Sequence, residues 1–228
     1  MIGIICAMDK EITTIKESMN IIAAKNILGL DFYMGTIDSR NVVLVRSGVG
    51  KVNAAVCTQI LIDMYAVDAV INIGAAGAVS SDLKIGDIVI SDDLCHHDFD
   101  TTVCGDEPGV ITGIPESFFK ADEQLVKRAL EAVEKVGLPV SIGRIASGDQ
   151  FISSPEAKER IWKLFKAKCC EMEGAAIAQT CYLNKIPFVV IRAISDNADE
   201  GTDVNYERFF RESAIKASCI IRNMLETL

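Results

Sequence analysis

The chain has 228 residues, a formal net charge of −9 from 23 basic and 32 acidic side chains, and 50% apolar residues. Its mean hydropathy of +0.27 and its length allow a large buried core, which excludes an intrinsically disordered protein. The acidic balance argues against a nucleic-acid partner, because phosphate backbones bind clustered Lys and Arg. No internal repeat, low-complexity tract or linker interrupts the sequence. We therefore expect one domain over residues 1–228.

The apolar first eight residues meet charged residues at once, at Asp9. They are too short for a signal peptide or a membrane span, so we expect no membrane partner. Eight cysteines are spread along the chain without a C-x-x-C pair, and most lie in apolar runs. This pattern favours buried free thiols in a reducing compartment over a disulfide framework or a zinc site. The sequence predicts a cytoplasmic protein without a metal.

Strand-like and helix-like segments alternate along the chain. Short apolar runs rich in β-branched residues predict strands at 2–6, 32–37, 42–47, 69–73, 87–91, 141–147 and 188–193. Apolar residues at a period of 3.6 predict helices near 8–19, 52–64, 125–133, 174–183 and 210–228, and Ser154-Pro155 marks the start of another. The alternation predicts an α/β fold: a three-layer α/β/α sandwich with a central mixed sheet, in which 32–37 and 42–47 form an antiparallel hairpin.

Polar or small residues follow four of the predicted strands. These segments are 8–11, 74–78, 148–151 and 194–197. Because ligands of α/β sheets bind outside the carboxyl ends of the strands, we expect the four segments to converge on one binding site.

Acidic residues in and near these segments are the candidate catalytic groups. Glu11 lies at the edge of an apolar helix stripe, which suits either a general base or a first-turn glutamate that the helix dipole favours. Asp196 follows a buried strand and fits either an acid beside a ligand ring nitrogen or a helix or turn cap. Glu171 and Glu173 fit either acceptors for sugar hydroxyls or the acidic first turn of the helix at 174–183.

Two further motifs carry little chemistry. The glycines at 74–77 and 47–51 lack the full dinucleotide and Walker patterns, so we interpret both stretches as tight turns between strand and helix. The adjacent pair His96-His97 is poorly suited to one metal ion, and no third soft ligand has a suitable spacing.

Six stretches in order resemble a known family. They are IICAMDKE (4–11), SGVGKVNAA (47–55), GDIV (86–89), SGDQFI (147–152), EMEGAA (171–176) and RAISD (192–196). Together they resemble the 5′-methylthioadenosine/S-adenosylhomocysteine nucleosidases, within the purine nucleoside phosphorylase-like superfamily. The resemblance implies a nucleoside phosphorylase-like fold, hydrolysis of the bond between adenine and ribose in 5′-substituted adenosines, no cofactor, and a homodimer.

The resemblance also implies roles for individual residues. Glu11 corresponds to the base that activates water, and Asp196, oriented by Ser195, to the group that hydrogen-bonds or protonates adenine N7. Glu173 corresponds to the acceptor for ribose hydroxyls, with Met172 against the sugar. The other residues expected at the substrate are Phe151, which stacks on adenine, Ile152, which offers backbone hydrogen bonds, Arg192, which lies beside the water and the carboxylates, and Met8, Ala75, Gly77 and Glu171.

The sequence departs from the family pattern at two places. Ala75 stands where many members have serine, so one polar contact near the nucleophile is missing. Cys104, Asp106 and Thr112 stand where the family often has aromatic or proline residues around the 5′ substituent, partly from a partner subunit. Asp106 there either favours a polar or cationic substituent or faces solvent.

Three other functions stay open at this stage. A purine nucleoside phosphorylase needs arginines around phosphate, and Arg192 is the only one that the pattern places near the site. A nucleosidase for another 5′-modified adenosine, such as aminodeoxyfutalosine, needs the same catalytic groups. A non-catalytic nucleoside-binding protein needs no base, which argues against it here.

Overall fold

A computed structural model describes the backbone of residues 1–198 and 206–228 and the side chains of 1–198 and 212–228. The strands are Ile2–Cys6 (β1), Asn20–Ile27 (β2), Leu30–Ile37 (β3), Arg40–Arg46 (β4), Ala69–Ala78 (β5), Ile88–His96 (β6), Phe119–Lys120 (β7), Val140–Ser147 (β8), Cys169–Glu171 (β9) and Phe188–Asp196 (β10). The helices are Asp9–Glu17 (α1), Lys51–Tyr65 (α2), Glu123–Val136 (α3), Pro155–Phe165 (α4), Gly174–Asn184 (α5) and Tyr206–Thr227 (α6).

The strands form one mixed sheet that curls back on itself. One arm runs in the order β2-β3-β4-β1-β5, with a parallel β4-β1-β5 centre and an antiparallel β2-β3-β4 edge. Beyond β5, strand β10 pairs with both β5 and β6, and β8 and β9 lead from β6 back to β5. The ring β5-β10-β6-β8-β9 gathers several strand ends around one opening.

Helices cover the sheet on both faces. Alternate residues of β1 show the division, since Ile5 packs with the α2 and α5 side chains whereas Ile4 and Cys6 pack with those of α1, α3 and α6. Buried side chains of α4, Ile161 and Phe165, form a smaller third cluster. The predicted three-layer α/β/α fold with a central mixed sheet is confirmed.

Local sequence signals explain several element ends. Asp38 and Ser39 both adopt a positive φ between β3 and β4, as a tight hairpin turn with the right-handed twist of its strands requires. Ser154 accepts a hydrogen bond from the Ala157 N–H at 3.2 Å and Pro155 opens α4, as predicted. Asp122 caps α3 in the same manner, through the N–H groups of Gln124 and Leu125.

Several predicted boundaries are wrong. The glycine stretch at 74–77 is not a turn, because β5 continues to Ala78, and β10 likewise continues through Asp196. β2 was not predicted, since its exposed edge position imposes no apolar alternation, and the two very short strands β7 and β9 were also missed. The other glycine stretch is a turn, as predicted, with a positive φ at Gly48 and Gly50.

The cysteines are free thiols, and six of the eight are buried; Cys104 and Cys219 are exposed. The exposure of these two differs from the buried free thiols that the sequence predicts. Ala214, Ile221 and Met224 of the predicted apolar stripe are buried, whereas the Phe210 side chain lies outside the described residues. No helix in the described ranges is long and apolar enough to cross a membrane.

Candidate active site

A cavity of about 170 Å³ opens at the carboxyl ends of β1, β5, β8, β9 and β10. It is lined by Ala7, Met8, Glu11, Val49, Ala75, Ala76, Gly77, Gln150, Phe151, Ile152, Cys170, Glu171, Met172, Glu173, Ser195 and Asp196. The four segments predicted to converge all contribute to it. Of the predicted site residues, all except Arg192 border the cavity.

Glu11 is held by backbone donors from the turn after β1 and from β5. Its Oε2 accepts hydrogen bonds from the N–H groups of Ala7 and Met8, both at 2.9 Å, and its Oε1 accepts one from Ala75 at 3.1 Å. Burial raises the pKa of this carboxyl group above its usual value, although Arg192 and the three N–H donors act in the opposite direction. A fixed carboxylate of raised basicity is suited to remove a proton from a bound molecule.

Gly74 makes room for this arrangement. A Cβ atom at Gly74 would lie 2.8 Å from Glu11 Oε1 and 3.1 Å from Arg192 Nη1. The strand thus lacks a side chain at the point where the two opposite charges of Glu11 and Arg192 come close.

Arg192 lies behind the cavity in a fully buried ion pair with Glu171. Its Nη2 donates to Glu171 Oε2 and to Asn72 Oδ1, the latter at 2.6 Å, and Asn72 in turn donates to the Ile5 carbonyl at 2.9 Å. Arg192 lies beside the carboxylates of Glu171, Glu173 and Glu11 but is not among the residues that line the cavity. Its positive charge lies near Glu11 and Glu173 and lowers the pKa of both.

The two glutamates of the EMEG motif have different surroundings. Both oxygens of Glu171 accept protein hydrogen bonds, from Ser147 Oγ, from Arg192 and from the N–H groups of Glu173 and Gly174. Burial favours a raised pKa for Glu171, but these donors and the Arg192 charge hold the pKa below its usual value. Glu171 thus caps α5 and anchors Arg192. This matches the alternative in which the glutamate belongs to the acidic start of the helix at 174–183.

Glu173 presents its carboxyl group to the cavity. The structure gives it one hydrogen bond, from the Gly50 N–H to Oε1 at 2.8 Å. Burial and then the charge of Glu171 raise the pKa of Glu173 to about 7, against the lowering effect of Arg192. Glu173 matches the alternative of an acceptor for sugar hydroxyls, since its second oxygen has no such protein donor among the described residues.

Asp196 borders the cavity at the end of β10. Its Oδ2 accepts a hydrogen bond from Ser195 Oγ at 2.7 Å, and its Oδ1 accepts one from the Ala198 N–H at 2.8 Å. Gly77 faces this carboxylate, because a Cβ there would lie 2.8 Å from Asp196 Oδ1. The aspartate is therefore oriented by its neighbours and borders the cavity at a fixed position.

Apolar side chains form the remaining walls. The Phe151 ring is 57% exposed at the mouth, and Met8, Ile152 and Met172 lie around it. The site residues expected from the sequence do not include five that also line the cavity: Ala7, Val49, Ala76, Gln150 and Cys170. The signal for Val49 and Gln150 was present, since each lies within a stretch that carries the resemblance.

Asp106 is partly exposed and does not border the cavity of this chain, which is consistent with the solvent-facing alternative. Its Oδ2 accepts hydrogen bonds from Thr101 Oγ1 at 2.9 Å and Thr112 Oγ1 at 2.8 Å, so it orders its own loop. Cys104 in the same loop is exposed. None of the three departing residues borders the cavity within this chain.

His96 and His97 are buried side by side, and burial is the main cause that lowers the pKa of both. His96 Nε2 lies 2.9 Å from Gln179 Oε1. Within the described part of the chain, no three His, Cys, Asp or Glu side chains are grouped so as to hold a metal ion.

Comparisons with known proteins identify the family of this chain. The model of the phosphorylase superfamily matches residues 1–228. The 5′-methylthioadenosine/S-adenosylhomocysteine nucleosidase of Staphylococcus aureus (strain Newman) is 40% identical over 229 residues, which cover 100% of both chains. This chain belongs to the phosphorylase superfamily, in its methylthioadenosine/adenosylhomocysteine nucleosidase family.

Solved structures of that family have the same fold. The nucleosidase of Neisseria meningitidis, in complex with methylthio-immucillin-A, aligns with a TM-score of 0.95 at 39% identity, covering 100% of this chain and 99% of that one. The nucleosidase of Colwellia psychrerythraea 34H, in complex with adenine, aligns with a TM-score of 0.94 at 38% identity, covering 100% and 95%. Futalosine hydrolase of Helicobacter pylori 26695 also aligns, with a TM-score of 0.94 at 34% identity, covering 100% and 97%.

Proposed function

We propose that this protein hydrolyses the N-glycosidic bond of 5′-substituted adenosines and releases adenine. The substrates are 5′-methylthioadenosine, S-adenosylhomocysteine and 5′-deoxyadenosine, and the whole chain, residues 1–228, works as one nucleosidase domain. One observation carries the proposal: a buried carboxylate held by three backbone N–H groups, Glu11, shares a cavity with a second oriented carboxylate, Asp196. The family relationship supports it.

Glu11 is the general base in this mechanism. The bond between ribose and adenine breaks with oxocarbenium character at the sugar, and water attacks the carbon that adenine leaves. Glu11 takes the proton of that water, and burial favours this step by raising the pKa of the carboxyl group. A positioned base of this kind contributes about 10²–10⁴ in rate.

Asp196 stabilises adenine as the leaving group. Its carboxyl group hydrogen-bonds or protonates adenine N7, so that the base leaves as a neutral molecule, and Ser195 fixes its orientation. Phe151 stacks on the adenine ring and the Ile152 backbone offers hydrogen bonds to its edge. The two titrating groups thus act on opposite sides of the bond that breaks.

Glu173 recognises the sugar. Its free oxygen accepts the ribose hydroxyls while the Gly50 N–H holds the other oxygen, and Met172 packs against the ring. Negative charge beside the ribose also stabilises the cationic transition state.

The chemistry of the cavity favours water over phosphate as the nucleophile. No Arg or Lys side chain of the described residues borders the cavity, and Arg192 is already paired with Glu171. A phosphorylase needs cations around its phosphate dianion. The carboxylates of Glu11 and Glu173 would instead repel it.

A second candidate substrate is aminodeoxyfutalosine, another 5′-modified adenosine. The similarity to the H. pylori futalosine hydrolase, at 34% identity, supports it. Both candidates use the same catalytic groups, so the 5′ substituent alone separates them.

The test is adenine release from a panel of 5′-substituted adenosines in phosphate-free buffer. We expect release from methylthioadenosine and adenosylhomocysteine at a rate that added phosphate does not change. Acceleration by phosphate, with ribose 1-phosphate as product, would establish a phosphorylase instead. The absence of adenine from every member of the panel would reject the nucleosidase.

We also propose that the protein is a cytoplasmic homodimer. The packed helices α2 and α5 expose apolar side chains that a second copy would cover: Val52 is 73% exposed, Leu183 61% and Met64 56%. Burial of such a face stabilises an obligate interface. Sedimentation is expected to give a dimer, and Val52→Glu combined with Leu183→Glu to give a monomer; a wild-type monomer at micromolar concentration would reject this.

A further inference from the structure

The N-terminus of α2 carries no carboxylate of its own and binds two from distant parts of the chain. Its N-cap is Gly50, and its first turn contains no acidic residue. The Gly50 N–H donates to Glu173 Oε1 and the Lys51 N–H donates to Asp149 Oδ1, both at 2.8 Å. Because the first N–H groups of a helix lack partners within it, both carboxylates stabilise this end.

Asp98 joins these contacts into a closed ring. Lys51 Nζ donates to Asp98 Oδ1 at 2.6 Å, and the Asp149 N–H donates to Asp98 Oδ2 at 2.9 Å. The side chains of Lys51 and Asp98 are only 21% and 16% exposed. Burial favours a raised pKa for Asp98, but the hydrogen bonds from Lys51 and Asp149 hold the pKa below its usual value. Asp98 is therefore ionised at neutral pH and keeps both donors.

The ring ties together two walls of the nucleoside cavity. The segment that leads into α2 supplies Val49 to the cavity and the Gly50 N–H to Glu173. The segment after β8 supplies Gln150, Phe151 and Ile152. The two segments are far apart in the chain, since Lys51 and Asp149 are separated by 98 positions. The distance between the two walls therefore depends on the contacts between these segments.

The chain after β8 also passes very close to the Asp98 segment. A Cβ atom at Gly148 would lie 2.5 Å from two atoms of the His97 ring and 3.1 Å from Asp98 Cγ. Glycine therefore permits the close packing that places the Asp149 N–H within reach of Asp98.

We propose that Lys51, Asp98 and Asp149 are positioning residues, which set the distance between the Phe151 wall and the Gly50 N–H that orients Glu173. None of the three borders the nucleoside cavity, so they act on the substrate through Phe151 and Glu173. The inference rests on the proposed function, in which these two residues bind adenine and ribose.

The test is the kinetics of Asp149→Ala and Asp98→Asn with methylthioadenosine. Both variants are expected to raise KM roughly tenfold and to change kcat less than threefold, because contacts shared by ground state and transition state are loosened. The double variant is expected to raise KM by much less than the product of the single effects, since both residues belong to one network.

Asp122→Ala is the matched control. It removes a helix cap of the same chemistry from α3, which does not border the cavity. We expect it to lower the melting temperature without a change in KM. A similar loss of stability in Asp149→Ala with KM within twofold of wild type would overturn the proposal. Should Asp149→Ala not fold, Asp98→Asn, which replaces one of two accepting oxygens by a donor group, is judged by the same criterion.

Failure of the proposed function has a different signature. If the wild-type protein releases no adenine from any substrate, the proposed nucleosidase function is refuted. The positioning role of Lys51, Asp98 and Asp149 is not tested by that result. Calorimetric binding of adenine to wild type and Asp149→Ala then decides the positioning role: weaker binding in the variant supports it, and equal binding refutes it.

Discussion

Gly77→Ala isolates the position of Asp196 without altering either catalytic carboxylate. Gly77 has no positive φ, so alanine fits the backbone of β5, and the only disturbance is the added methyl group. That group would lie 2.8 Å from Asp196 Oδ1 and 2.9 Å from Ala198 Cβ. Ala198 N–H is itself a donor to this carboxylate, so both contacts act on the same unit.

The size of the effect follows from these distances. The Asp196 oxygen must retreat about 0.6 Å to reach an ordinary contact of 3.4 Å. Catalytic groups tolerate displacements of about 0.5 Å, and a displacement of about 1 Å costs on the order of 100-fold in rate. We therefore expect kcat to fall about 10- to 100-fold. The overpacking is expected to lower the free energy of unfolding by about 1–3 kcal/mol.

The assay is adenine release at saturating substrate, together with thermal unfolding. Gly3→Ala serves as the control, because its Cβ would meet the movable Leu61 Cδ1 at 3.2 Å, away from the cavity. It is expected to keep kcat. A folded Gly77→Ala protein with kcat within twofold of wild type would refute the placement of Asp196 as the group that acts on adenine.

Three further predictions concern the charged groups. Glu11→Gln and Asp196→Asn are each expected to lower kcat by a factor of about 10²–10⁴. The dissociation constant of an inhibitor, measured by calorimetry, is expected to stay within threefold of that of the wild type. Unchanged turnover in either variant would contradict the mechanism. The pKa of Glu173 is raised to about 7 from an ordinary value of 4.5, so the folded state binds more protons than the unfolded state between these pH values. Stability is thus expected to fall as the pH rises through this window, and Glu173→Gln to flatten the dependence of the melting temperature; parallel curves for the two proteins would exclude it. Arg192→Met leaves the buried Glu171 carboxylate unpaired and is expected to destabilise the protein by about 3–5 kcal/mol in urea unfolding, whereas a loss below 1 kcal/mol would argue against a strong ion pair.

Part of the cavity could be predicted from the sequence because the carboxyl ends of parallel strands meet at one sheet edge. Met8 follows β1, and Gly77 and Asp196 lie at the ends of β5 and β10, which run parallel to it. Phe151 follows β8, which runs in the opposite direction, and it borders the cavity because the sheet curls back on itself. The strand ends were less predictable. Small side chains at 74–78 resemble a turn in sequence, yet β10 pairs with this stretch and extends it as a strand.

The separate functions of Glu171 and Glu173 could not be predicted, since they depend on distant partners. Glu173 is oriented by the Gly50 N–H, 123 positions away in the chain. Glu171 is neutralised by Arg192, which reaches it from β10. Local spacing shows two similar carboxylates, and only the tertiary contacts decide which of them keeps an oxygen without a protein donor at the cavity.

The division between these glutamates also explains how the cavity can favour a cation. Three carboxylates, those of Glu11, Glu171 and Glu173, lie close to a single buried guanidinium, that of Arg192. Because Glu171 takes the direct ion pair, Glu11 and Glu173 keep unpaired negative charge, and burial raises the pKa of both. A positive charge that develops on the ribosyl ring between them relieves that unfavourable state, and a phosphate dianion would worsen it. The ion pair between Glu171 and Arg192, which takes no part in the reaction, thus favours water over phosphate as the nucleophile.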